Sequence, residues 1–141
     1  MQTDFKKLLL FVISYVIITL IIAYGWNVVL FRDLYEALGA NTRADPIVWM
    51  GIIVMVIQSI VIAYVYPYFY RSGSHPVAQA VTFNLLMGTM AYSVIGFGIA
   101  AKFQIDPILP YLMYTLMFQV FQFVFTGIAL GLIYGRLENN S

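Results

Sequence analysis

Cysteine is absent from the 141 residues, and only 9% of them are charged. The first absence excludes disulfides, thiolate nucleophiles, Cys-ligated zinc and iron–sulfur clusters. A single histidine, His75, cannot build a metal or haem site alone. Seven Lys and Arg stand against six Asp and Glu, a net charge of +1 with no basic run. Nucleic acid is therefore not a partner, because phosphate recognition needs a concentrated positive field. No Asp, Glu, Lys, Arg or His lies in the central part of any long apolar run. Proton relays, voltage sensors, ion-coupled pumps and charged selectivity rings thus lack the residues they use. No nucleophile–base pair follows from spacing. Asp4, Asp33, Glu36, Asp45 and Asp106 have ready work as helix caps and loop solvation, and His75 before Pro76 reads as a solvated turn residue. The expectation is a protein that is not an enzyme and carries no cofactor.

What the chain has in abundance is apolar surface: 62% of residues are hydrophobic, with a mean hydropathy of +0.89. A soluble domain sits near half apolar, so this chain belongs in lipid. A spanning helix needs about 20 apolar residues. The sequence supplies four such runs, read as spans over about 5–30, 46–70, 77–105 and 108–134 of one transmembrane domain. Lys6 and Lys7 followed by an apolar run resemble a secretion signal, but the run continues to Phe31, too long for a signal core. Thr3 or Asp4 is expected to cap the first span. Asp45-Pro46 and Asp106-Pro107 are expected to open the second and fourth, each with Pro at the first helical position.

The segment Arg32 to Leu38 places Leu34, Tyr35 and Leu38 at helical spacing, which predicts a short interfacial helix stopped by Gly39. Lys6, Lys7, Arg71 and Arg136 lie on the side of the chain ends, against Arg32, Arg43 and Lys102 on the other. The positive-inside rule then directs both ends to the cytoplasm, in what reads as a prokaryotic cytoplasmic membrane. Tyr64, Tyr66, Tyr68, Phe69 and Tyr70 around Pro67 read as an interfacial aromatic belt at a helix end or kink.

Helices in lipid associate through close packing at small residues and through interhelical hydrogen bonds. The fourth span carries both kinds of signal. Gly127, Gly131 and Gly135 form a small-residue ridge, which serves packing within the bundle or contact with a partner. Thr115, Gln119, Gln122 and Thr126 fall within a narrow arc at about 100° per residue, almost opposite the ridge. Phe118, Phe121 and Phe125 occupy a third sector, placed to meet lipid or an apolar partner. A bundle has one interior, so the ridge or the stripe is a candidate to face outward. Thr19, Gln58, Ser59 and Tyr92 on the other spans join the stripe as a candidate polar layer. Such a layer either fixes helix register or lines a site for a small amphipathic molecule.

Phe31-Arg32-Asp33-Leu34-Tyr35-Glu36-Ala37, Ala63-Tyr64-Val65-Tyr66-Pro67 and Phe83-Asn84-Leu85-Leu86-Met87-Gly88 together resemble segments of small four-helix prokaryotic membrane proteins of unknown function. The resemblance implies an all-α, up-and-down bundle and no catalytic residues. The first functional expectation is an accessory or structural subunit of a larger membrane complex. Alternatives are a binder or passive transporter of a small lipophilic molecule, and a homo-oligomer. Membrane lipids are partners in each.

Overall fold

A computed structural model describes residues 5–40, 47–71 and 74–135. Helix α1 (Phe5–Tyr24) continues without a break into a π-helical turn, π1 (Gly25–Leu30), and a short α2 (Arg32–Ala37) follows. Helix α3 covers Val48–Phe69, α4 covers Pro76–Tyr92 and runs into a second π-helical turn, π2 (Ser93–Gly98), and α5 covers Ile108–Gly135. Among the described residues four helical segments are thereby long and apolar enough to cross a membrane, Phe5–Leu30, Val48–Phe69, Pro76–Gly98 and Ile108–Gly135. At 1.5 Å per residue the shortest measures about 33 Å, against about 30 Å of hydrocarbon. The resemblance to a four-span protein holds at that level.

The surface is inverted relative to a water-soluble bundle. Leu9, Ile13, Ile17, Ile21, Met113 and Val120 point outward, while Asn84, Ser59 and Thr126 are fully enclosed. Only lipid rewards that arrangement, because it solvates apolar side chains and leaves amides to find partners inside. The protein is an integral membrane four-helix bundle, in contact with lipid over its outer face.

Helix α5 is the centre of the bundle and packs most extensively against α4, then α1, with α1 in turn against α3. Glycine makes the α4–α5 contact possible. A Cβ added at Gly131 would lie 2.5 Å from Val77 Cα, and one at Gly127 would lie 2.8 Å from Val81 Cα. The ridge is therefore covered within the chain. Thr115, Gln119, Gln122 and Thr126 are buried as well, so neither face of α5 is left to look outward. The expectation fails because a central helix with neighbours on two sides buries an arc wide enough to take in both the stripe and the ridge.

Other departures are local. The third span stops short of 105: π2 ends at Gly98, Ile99 and Ala100 are still helical, and Ala101 and Lys102 form a turn. Asp106-Pro107 is a cis peptide bond and α5 begins only at Ile108. Proline does stand at the start of a helix, but at Pro76 of α4. Thr3, Asp4 and Asp45-Pro46 lie outside the described residues. Pro67 lies inside α3, two residues before its end. In the aromatic group, Tyr64 and Tyr68 are exposed as a belt requires, whereas Tyr66 is fully buried among Phe83, Tyr70 and Tyr134.

Helix α2 lies across one end of the bundle, here called the α2 end. Gly39 stops it with φ +80°, its N–H bonding Glu36 O at 3.1 Å and that of Ala40 bonding Tyr35 O at 2.9 Å. These paired bonds satisfy the last carbonyls of the helix, and only glycine adopts that backbone cheaply. A bond from Asp106 N to Leu38 O, 3.1 Å, fastens α2 to the start of α5. Leu38 and Tyr35 are buried there with Trp26, Ile105 and Tyr111.

Candidate functional site

Two polar arrangements occupy the interior, one near mid-membrane and one beneath α2. In the first, the Tyr15 hydroxyl donates to Gln58 Oε1 at 3.0 Å and accepts from Gln122 Nε2 at 3.2 Å. One phenol thus links α1, α3 and α5. One turn further along α5, Thr126 Oγ1 donates to Gln122 O at 2.8 Å and accepts from Asn84 Nδ2 at 3.0 Å, which brings in α4. All four spans meet in this chain of bonds, as groups without water must.

The candidate residues divide accordingly. Gln58, Gln122 and Thr126 belong to the mid-membrane network. Thr19 is buried one turn along α1 from Tyr15. Ser59 is satisfied within its own helix by Val56 O at 2.8 Å. Gln119 borders a crevice of about 140 Å³ between α4 and α5, and its Oε1 has no hydrogen-bond partner among the described residues. Tyr92 bonds away from the layer, donating to Leu112 O at 3.0 Å. Thr115 belongs to the second arrangement. Of the phenylalanines, Phe118 and Phe121 meet the ring of Trp26 at 6.4 and 5.8 Å, and Phe121 and Phe125 remain about half exposed. Gly135 packs on Pro76.

The second arrangement is a cavity of about 560 Å³ at the α2 end. Its walls come from four elements: Asn27 of π1, Tyr35 of α2, Ile95 and Ile99 around π2, and Tyr111, Thr115 and Phe118 of α5. Phe103 and Ile105, from the segment between π2 and α5, complete the apolar lining. No residue of α3 contributes, and Val48 to Val54 of α3 are exposed on every side.

Both π-helical turns border this cavity. A π turn inserts one residue into an α-helix, disturbs the i→i−4 bonds and occurs often at functional sites. The backbone so altered is used here: Tyr111 donates its hydroxyl to Ile95 O in π2 at 3.1 Å. With Tyr92 bonding Leu112 O in the reverse direction, two phenols clamp α4 and α5 together across the cavity wall. In π1, Asn27 Nδ2 donates to Ala23 O at 3.0 Å, and Trp26 Nε1 donates to the Tyr35 hydroxyl at 3.3 Å. The latter bond sets the Tyr35 ring edge-on to Tyr111, with centroids 6.2 Å apart.

The lining carries neutral polar groups in a mostly apolar wall, which suits an amphipathic guest of drug-like size. Ligand pockets generally fall at about 300–1,000 Å³. Among the described residues no group of three His, Asp or Glu is placed to hold a metal. Sequence reasoning singled out Thr115 and Phe118 of this cavity but missed Asn27, Tyr35 and Tyr111 as site residues, and Tyr15 as a member of the mid-membrane network. Asn27 lies inside the first apolar run, which continues to Phe31, and nothing local marks it as a lining residue. Tyrosine is counted as apolar, so a pattern of hydropathy hides its hydroxyl. Comparison of the chain with models of protein families, with curated proteins and with solved structures gives no match.

Proposed function

We propose that the protein is a non-enzymatic membrane receptor or carrier for a small lipophilic molecule, held in the cavity at the α2 end. The observation that carries this reading is the convergence of both π-helical turns on one cavity whose polar groups, among the described residues, are all uncharged. A bundle serving only as a packing unit has no need of two adjacent helical irregularities at one depth, each costing backbone regularity. The basic residues favour cytoplasmic chain ends, which puts the cavity in the outer leaflet of the membrane. Protein extracted in mild detergent and analysed by mass spectrometry should carry a bound lipophile at near-stoichiometric amount. Ile99→Phe, which fills the cavity, should lose it. A wild-type protein that carries only bulk lipid would remove the support.

The reading as an accessory subunit retains one favourable observation. Seven successive residues, Val48 to Val54, are exposed around the whole circumference of α3, and a Cβ at Gly51 would meet nothing within 4 Å. Another membrane helix could approach closely there. A photo-crosslinking residue at Trp49 distinguishes the cases in native membranes. A foreign subunit gives a discrete heavier adduct, a homo-oligomer gives twice the 16.0 kDa chain mass, and lipid alone gives neither.

A further inference from the structure

We propose that the ligand is an uncharged, ring-bearing lipophile that presents an oxygen acceptor, of carbonyl type, to the hydroxyl of Tyr35. The inference rests on the cavity being a binding site and adds the chemistry of its occupant. Tyr35 is 8% exposed and faces the cavity. Its oxygen already accepts from Trp26 Nε1. That bond occupies a lone pair and leaves the phenolic proton without an acceptor among the described residues. A buried O–H held in this way is a donor waiting for an acceptor, since an unpaired donor in the interior has lost its water and gained nothing in return.

The other side chains limit what can accept it. Tyr111 spends its proton on Ile95 O, so it offers only lone pairs. Asn27 commits one amide hydrogen to Ala23 O and keeps another donor and its carbonyl. Among the described residues no Lys, Arg, Asp or Glu lines the cavity; the Arg32–Glu36 pair of α2 is exposed and self-neutralised at 3.1 Å. A phosphate or carboxylate head would enter without a counter-charge, at a cost no neutral donor offsets. Rings supply much of the wall, with Tyr35 on α2, Phe103 ahead of α5, and Tyr111 and Phe118 on α5. Aromatic walls favour a flat ring through stacked and edge-on contacts.

Trp26 is bonded to Tyr35 and so reports on occupancy once Trp49, which is exposed on α3, is changed to Phe. In Trp49→Phe protein reconstituted into phosphatidylcholine nanodiscs, titration with 1,4-naphthoquinone should quench Trp26 emission saturably. Tyr35→Phe should weaken the apparent affinity about tenfold, the scale of one buried hydrogen bond. Naphthalene, which has the ring without the oxygen, should compete equally in both proteins. Naphthalene-2-sulfonate should not compete. If Ile99→Phe abolishes saturable quenching while Tyr35→Phe leaves affinity unchanged, the cavity binds lipophiles but the assigned head-group chemistry is wrong. Equal competition by the sulfonate would also overturn it. Quenching that rises linearly and identically in all variants would overturn the binding site itself.

Discussion

At the scale of single residues, glycines with the same letter in the sequence do different work. Gly131 lies where an added Cβ would sit 2.5 Å from the backbone of Val77, whereas Gly51 faces open space. Gly131→Ala should therefore force α4 from α5 and cost about 1–3 kcal/mol, the usual scale of overpacking. Gly51→Ala should cost nothing. Thermal unfolding in detergent, followed by circular dichroism, compares them directly. Tyr15 gives the corresponding polar test. Tyr15→Phe removes a donor and an acceptor that join three helices and should lower stability by about 0.6–2 kcal/mol, the measured range for hydrogen bonds between membrane helices. In a double-mutant cycle with Gln122→Leu the two losses should be clearly less than additive. Additive losses would mean that the bond contributes nothing. The glutamines were legible as a stripe because amides stand out against apolar neighbours. Tyr15 was not, because nothing in a run such as Ile13-Ser14-Tyr15-Val16 says which way its phenol turns.

At the scale of elements, periodicity and turn chemistry located α2 and its stop at Gly39, and the four spans, because both signals are local. The π-helical turns escaped. Gly25-Trp26-Asn27 and Ser93-Val94-Ile95-Gly96 have no composition that separates them from an α-helix. They arise from what packs beside them, as when Tyr111 takes the carbonyl of Ile95. The same distinction explains the fourth span: its three sectors were read correctly as positions on a helix. Which sectors are covered depends on α5 being central, a property of the assembled bundle. The docking of α2 can be tested at its hinge. Gly39→Ala meets a positive φ and a Cβ position 2.5 Å from Gln104 O. It should raise the hydrogen-exchange rate of the Asp106 amide, whose acceptor is Leu38 O, and shift Trp26 emission to longer wavelength as α2 lifts and water enters. Unchanged exchange at Asp106 would show that α2 is held by its side chains alone.

At the scale of the molecule, the absence of cysteine makes topology measurable with single substitutions. His75→Cys lies at the α3–α4 end and Arg32→Cys at the α2 end. In sealed cells an impermeant maleimide should label Arg32→Cys and spare His75→Cys, the reverse pattern meaning that the Lys and Arg bias misdirects the orientation. The tyrosines carry a different consequence at this scale. Tyr66, Tyr92, Tyr111 and Tyr134 donate to the carbonyls of Pro76, Leu112, Ile95 and Ala63, each a main-chain atom on another helix. A carbonyl is supplied by any residue type, so the receiving positions are free to change while the donors are not. In a set of related chains these tyrosines should persist without correlated exchange at their acceptors. Methods that infer contacts from co-variation would then miss the bonds that tie the helices together.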